Sequence, residues 1–373
     1  GKMTPELKAD RALWFGKEAG RVDLVACWFL AAAKYMKDTK IEAALVATNS
    51  ICQGTQVDPI WMCLFHMGIH INFAHRSFMW KTEGRKGASV VVVIISFSYI
   101  ERDRKLLWDY TGKTVELVEA DHINQYLIDH GDMSVVSRGT PLDRVPALVN
   151  GTKPAGKPLI FTIAERQEIV RKYPQSKQYF RKYIGAAELT KATHRYVLWL
   201  KESDLPDIAT IPPIVERIEM TREQRSKSNQ EQTFAMRKTP WKLFYIGDPA
   251  GEPFMVVPCT TSGNRRYFPM GFFDDDTLPS NAVFYWAGAG VYEYGIMTSR
   301  VHNTWLDVIG GKLKNDFRYS NRMVYNTFIW PKVTPAQKAE IEELAQAVLD
   351  AREAAFNNGQ RTLDEVYKPG TEW

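Results

Sequence analysis

Apolar and polar positions recur along this chain with two different periods, and the switches between them outline its elements. Behind Asp23, up to Met36, apolar residues fall on nearly every side, which predicts a helix buried on more than one face. The Asp23 carboxylate is placed to accept from the free amides of its first turn. Residues 42–48, EAALVAT, predict a short buried strand running into Asn49-Ser50 and a turn at Gln53-Gly54. A second helix is predicted over 59–66, a strand near 70–75, a loop over 81–87 and a central strand over 88–97, where Val and Ile dominate. The order helix, strand, helix, strand, strand is the second half of a doubly wound α/β sheet ending in an antiparallel hairpin, and it does not make a whole domain.

Between 101 and 150 the periodicity weakens, and the proline-rich stretch 141–158 marks the predicted domain boundary. Beyond it, 165–182 has helical spacing and much charge. Residues 196–200, 241–246, 254–257, 266–269 and 282–286 have the look of short strands separated by turns, which makes this part α+β. Thr334 as cap and Pro335 at the first helical position open an amphipathic helix with Ile341, Leu344, Ala345, Val348 and Leu349 on one face, closed near Asn358-Gly359. Thr362 and Glu365 form a capping box that starts one further short helix.

At 373 residues the chain is long enough for two domains and a sizeable core. Its longest early apolar run, 24–33, is too short to span a bilayer and follows no charged leader, so a cytoplasmic protein with no membrane partner is expected. Cys27, Cys52, Cys63 and Cys259 form no CxxC pair, which predicts reduced, mostly buried thiols. The net charge of +5 is unevenly placed: from Pro331 onward five Lys or Arg face eight Asp or Glu, leaving +8 upstream. The clusters 217–242 and 300–322 interleave Lys and Arg with Tyr, Trp and Phe, a composition that suits a phosphate backbone with bases nearby, although a solvated face is the commoner origin of such runs. His66 and His70 are four apart but lack a following Glu and a third ligand, so no metal is expected. No Ser-His-Asp set, paired acids or nuclease-like cluster of acids and Lys stands out.

Three stretches resemble the MmeI-type family, in which an adenine methyltransferase is combined with a target-recognition domain: 47–54 (ATNSICQG), 73–80 (FAHRSFMW), and the segment from TSRVH at 298–302 through RYS at 318–320 to VYNTFIWP at 324–331. The resemblance implies three regions: 1–150 as the carboxy-terminal part of a Rossmann-like class I methyltransferase sheet, 151–331 as the target-recognition domain, and 332–373 as a helical segment. It implies a parent enzyme that uses S-adenosylmethionine and acts on double-stranded DNA. Two family motifs are missing, the Gly-rich donor turn and the Asn-Pro-Pro-aromatic loop; Pro212-Pro213 follows Ile211, and Gly288 to Gly290 do not follow a donor-binding strand. The chain is therefore expected to start past the catalytic loop, to bind no donor and to be inactive alone. The missing amino-terminal half of the methyltransferase is an expected partner. The strand at 43–48 would then have an open edge, covered by the amino-terminal segment or by a second copy of the chain.

For a base turned out of the duplex, the resemblance puts the stacking aromatic at Phe78, in the loop before the 88–97 strand, with Trp80 as second candidate; both are also suited to packing. Asn49 is a candidate support for the adenine pocket, although Asn is common at such turns. Arg76, Lys81, Arg85 and Lys86 crowd the same loop and would neutralise flanking phosphates. Base reading is assigned to 300–322, where Arg300, Lys312, Lys314, Asp316, Arg318 and Arg322 offer partners for guanine and for the cytosine amino group, with Arg265 and Arg266 as a further contact. A surface ion-pair network is the competing reading. Two rival functions remain: a non-catalytic DNA-specificity module acting with a separate catalytic chain, and an unrelated α/β enzyme with its own pocket.

Overall fold

The computed structural model describes residues 3–81, 89–112, 114–265, 267–313, 315–356 and 358–371. The chain divides into two units, one of residues 1–143 with 304–329, the other of 144–303 with 330–373. This grouping differs from a linear division at 150 and 331, because the segment 304–329 packs with the first residues of the chain.

In the first unit, helices α1 (Pro5–Phe15), α2 (Val25–Met36) and α3 (Val57–His66) accompany a five-stranded sheet. Its strands are β1 (Ala43–Thr48), β2 (His70–Lys81), β3 (Ser89–Ser98), β4 (Lys105–Asp109) and β5 (Glu116–Ala120), in the order β1-β3-β2-β4-β5. β3 runs antiparallel to both β1 and β2, β4 runs parallel to β2, and β5 is antiparallel to β4. Hence β1, β2 and β4 all point their carboxyl ends the same way. The Val and Ile run places β3 between two neighbours, where β-branched side chains fit a pleated, covered surface. Ile71, Ala74, Val93, Ile95 and Phe97 join Phe29, Leu30, Ile60, Trp61 and Leu64 in one core, which Trp305, Val308, Ile309 and Met323 extend.

Several expectations change. The 42–48 run is an edge strand whose residues alternate in exposure, with Val46 at 52%. Asp23 does not cap α2 with its side chain: its carbonyl takes the Ala26 amide, while its carboxylate accepts from Gln56 and Ser50. A local capping site loses here to two donors brought near by the fold. Strands β4 and β5 fill a stretch that had no clear period, since β5 is exposed along most of its length.

The second unit holds two four-stranded sheets. One orders Gly271–Phe273, Phe254–Pro258, Val283–Ala287 and Val149–Asn150, all antiparallel. The other orders Thr277–Pro279, Phe180–Ile184, Arg195–Leu198 and Ile160–Phe161, with its first pair parallel. The charged stretch 165–182 is split: a helix, Ile163–Lys172, ends ahead of Pro174, and Phe180–Ile184 is a strand. Residues 241–246 form no ladder beyond the Tyr245 bridge to Lys153, and the described residues 267–269 form no strand. The helix Pro335–Ala355 starts at its Thr334 cap, with Gln337 completing the capping box. It packs on Val291–Thr298, where Gly295 leaves room for Ile341 and Ala345, so the terminal helices belong to this unit's packing.

Two predictions concern this unit. A Cβ on Gly151 would lie 2.1 Å from the Ser280 carbonyl oxygen, where the chain threads between hydrogen bonds to Val283 and Pro279. Gly151→Ala is therefore expected to destabilise by about 3 kcal/mol, read as a lowered urea midpoint. His302 is 1% exposed, and burial pushes its pKa down to about 4. Its unfolded value is about 6.5, so the unfolded chain binds the proton first. Stability should fall as pH drops from about 6.5 toward 4, by about 3 kcal/mol across the window. His302→Asn should remove that acid limb in urea titrations at several pH values.

Candidate base pocket and nucleic-acid interface

The carboxyl ends of parallel strands are where open α/β sheets place their ligands, and in the first unit these ends carry rings. In β2 the partner of His75 is Ile94 and the partner of Phe78 is Val92, so Arg76 and Ser77 together oppose the single residue between them. This bulge restores Phe78 to the face that holds His75, although the two are an odd number of residues apart. Another irregularity at Asn72 turns Phe73 to the face opposite Ile71, and Phe73 and His75 then share a face by simple alternation. Across the parallel pair, His75 lies beside Trp108 of β4.

The outcome is a ladder of rings on one sheet face. His75 stacks on Trp108 at 4.4 Å and 7°, and Phe73 meets Trp108 edge-on at 5.9 Å. Tyr110 stacks on Phe78 at 4.8 Å and 28°, and its hydroxyl is 2.7 Å from His75 Nδ1. Trp80, 45% exposed, lies 6.1 Å from Phe78 at a tilt. Loss of water lowers the His75 pKa, which favours the neutral imidazole. Phe78 is on a strand, not in the loop where the sequence placed it. His75, Trp108 and Tyr110 escaped the sequence reading; the alternation Trp108-Asp109-Tyr110 at a strand end was the available signal.

Arg76 is turned to the opposite face, where it pairs with Asp109. Burial alone would raise the Asp109 carboxyl, but the Thr111 hydroxyl and amide together with Arg76 hold it below its ordinary value. A cavity of about 100 Å³ on this side is lined by Gln53, Arg76, Ser77, Tyr126, Asp307 and Lys312. Asn49 is 7% exposed at the end of β1, and its Nδ2 finds no partner among the described residues, nor do Gln53 Oε1 and the Tyr126 hydroxyl. Buried amides left this way are polar groups with bonding capacity in reserve.

The hairpin of Gly311–Leu313 and Asp316–Arg318 belongs to the same unit. Its base rests on the turn after β1: Gly54 has φ of +70°, and a Cβ there would be 3.6 Å from the Gly311 Cα. Lys312 pairs with Asp307 and lies 5.0 Å over the Phe317 ring, which ties down the first strand. Asp316, Arg318 and Arg322 are exposed, as is Arg300. Lys314, Arg266, Arg85, Lys86 and the Lys81 side chain lie outside the described residues. Arg265 donates to Thr261 and pairs with Asp364. In the 217–242 cluster, Arg217 bonds the Pro158 and Ile160 carbonyls and Glu165, and Arg225 is fully buried, so part of that charge is structural.

The turn Gly288-Ala289-Gly290 makes no cradle for a methyl donor. It does follow a strand, Val283–Ala287, and opens the helix Val291–Thr298, but the strand is in an antiparallel sheet and Gly290 N already donates to Glu293. An acidic side chain on the helix amides leaves no place for an anionic donor group. This turn does not fit S-adenosylmethionine.

A mixed sheet with aromatic strand ends and a separate α+β unit define a two-unit α/β class of fold. The chain belongs to the MmeI family: residues 1–109 match its DNA-methyltransferase domain and 129–332 its target recognition domain. It is 38% identical over 375 residues to DNA methyltransferase A of Bacillus subtilis (strain 168), covering 99% of this chain and 42% of that protein. It is also similar to the solved type IIL restriction-modification enzyme MmeI in complex with DNA, at 37% identity and a TM-score of 0.93, covering 100% of this chain and 50% of that one. The chain thus spans half or less of the length of these relatives. Among the described residues, no helix is long and apolar enough to cross a membrane.

Proposed function

We propose that this chain carries the DNA-reading surface and the base-holding end of a methyltransferase sheet, in a protein that moves a methyl group from S-adenosylmethionine to adenine N6 within a defined sequence of double-stranded DNA. One observation carries the reading: the ring-bearing strand ends and the hairpin 311–318 belong to one packed unit. Reaching N6 requires turning the adenine out of its stack onto an aromatic face, and Phe78 with Trp80 supplies such a face. Arg300, Arg318 and Arg322 are exposed cations suited to phosphates or guanine, and Asp316 is suited to a cytosine amino group. Arg76, Arg265 and Lys312 hold internal ion pairs that a DNA contact would have to replace. Asn49, with its buried amide, is proposed to support the pocket.

The test is selection of bound duplexes from a randomised DNA pool at near-physiological salt, using this chain without donor. Enrichment of one short motif containing adenine is the expected result; tight binding with no enrichment would remove sequence reading from this chain. With about four phosphate contacts, raising salt from about 50 to about 200 mM should lower affinity on the order of a hundredfold. Affinity indifferent to salt would remove the electrostatic part.

The donor misfit favours a second reading, a specificity module that acts with a separate catalytic chain. Methyl transfer to the selected motif by a longer polypeptide that carries the donor turn supports the first reading, and transfer that needs a second polypeptide supports the other. The outer edge of β1, which has only β3 as strand partner among the described residues, is proposed to receive a further strand. A second copy pairing there would appear as concentration-dependent dimer in sedimentation.

A further inference from the structure

Phe78 is the last ring of the ladder but for Trp80, and one of its faces is already occupied. Tyr110 covers that face at 4.8 Å, and Tyr110 is restrained in turn by its stack on Phe78 and by the 2.7 Å hydrogen bond between its hydroxyl and His75 Nδ1. His75 cannot swing away easily, because it lies nearly parallel to Trp108 at 4.4 Å and packs edge-on against Phe73 at 6.3 Å. The series Trp108, His75, Tyr110, Phe78 therefore runs across β2 and the end of β4 with each ring held by the one before it. An aromatic side chain free to turn about its second side-chain torsion loses that freedom when a base stacks on it. A ring already clamped on one side has less left to lose, so more of the stacking free energy appears as binding.

We propose that Tyr110, anchored by His75, is a positioning residue: it holds the Phe78 ring so that the opposite face receives the flipped adenine. This rests on the reading of Phe78 as the base-stacking face. It goes beyond that reading by assigning a specific task to two side chains that touch no base. Tyr110 sits one residue past β4, in the alternation that begins at Trp108.

The test compares two duplexes of the selected motif, one intact and one in which each adenine in turn is replaced by an abasic residue. The quantity read is the ratio of the two affinities, for wild type, Phe78→Ala, Tyr110→Leu, Tyr110→Phe and the Phe78→Ala/Tyr110→Leu pair. Unpairing the adenine costs the intact duplex free energy that the abasic duplex does not spend, so the change in the ratio is what is read: Phe78→Ala should lower the relative preference for the intact duplex about tenfold. Tyr110→Leu should lose about threefold of the preference while its affinity for the abasic duplex stays at the wild-type level. In the Phe78→Ala background the second substitution should change nothing further. Tyr110→Phe keeps the ring and removes the anchor, so it should fall between wild type and Tyr110→Leu, and it carries the test if the Leu variant does not fold.

A Tyr110 that only supports the fold would lower affinity for both duplexes alike, and that outcome, or additive losses in the pair, overturns the proposal while leaving the stacking role of Phe78 in place. A ratio that Phe78→Ala leaves at the wild-type value removes the stacking role and the proposal with it. Failure to select any motif overturns the functional reading itself.

Discussion

Arg225→Met should cost the second unit about 3–5 kcal/mol, enough to unfold it or nearly so. Arg225 has no exposed surface on the helix Pro212–Ser226, yet it carries a guanidinium into the interior. Each of its donors finds a backbone carbonyl: Nε that of Ala155, Nη1 those of Met236 and Thr239, Nη2 those of Pro154 and Lys242, at 2.7 to 3.1 Å. One side chain thus ties the chain entering the unit to the loop after the helix. Burial pushes its pKa down to about 10, which still leaves it charged at neutral pH. Methionine fills much of the volume of the stem but returns no donor, and five carbonyls, that of Pro154 in a buried bond, lose this partner together. Lysine restores charge without the planar fork, so Arg225→Lys should recover only a minor part of the loss. Urea unfolding of both variants measures this directly. A loss under about 1 kcal/mol would mean that water reaches these carbonyls once the guanidinium is gone. The loop held this way includes Arg237, Lys238 and Lys242, so DNA affinity should weaken in any partly folded variant.

Asp316→Asn tests base reading against simple charge. A carboxylate only accepts, which suits a cytosine amino group, whereas an amide both donates and accepts and suits adenine. If Asp316 reads a base, selection with the variant should shift preference at one motif position by about 1–3 kcal/mol, roughly tenfold to a hundredfold. If Asp316 touches no base, removing a negative charge from a basic hairpin should tighten binding to every sequence alike, and the base-reading role of this residue fails. Arg318→Ala is the companion experiment. If Arg318 holds a phosphate, the substitution weakens all sequences together and lowers the salt slope by about one; if it pairs with a guanine, preference relaxes at one position.

Interactions that close within a few residues were legible from the sequence. The Thr334 and Thr362 caps, the left-handed Asn358 and Gly359 that follow the long helix, and the β-branched run of β3 all answer to neighbours in the chain, and each stands where the pattern put it. The family was legible too, because its motifs are local strings. Charge was less so. Arg217 and Arg225 read as surface cations beside aromatics, yet one lies over the Phe161 ring and the other is sealed inside, since five carbonyls from distant segments replace its water. The Asp23 carboxylate was similarly drawn from its own helix by Gln56, thirty-three residues away.

The tertiary structure alone decided what faces what. A single bulge at Arg76 and Ser77 sets the face on which Phe78 lies, because a strand's side chains alternate and one extra residue inverts everything beyond it. Register with β4 then brings Trp108 and Tyr110 against His75 and Phe78, a meeting between residues more than thirty apart. Packing likewise assigns 304–329 to the unit that holds the rings. The sequence by itself determined the helices and strands whose period is clear, such as α2, β3 and the helix Pro335–Ala355, and the family they belong to, since those depend on local periodicity and short motifs. The base pocket is decided by pairing register and by which distant groups displace water from a side chain, and neither is written in any short stretch of chain.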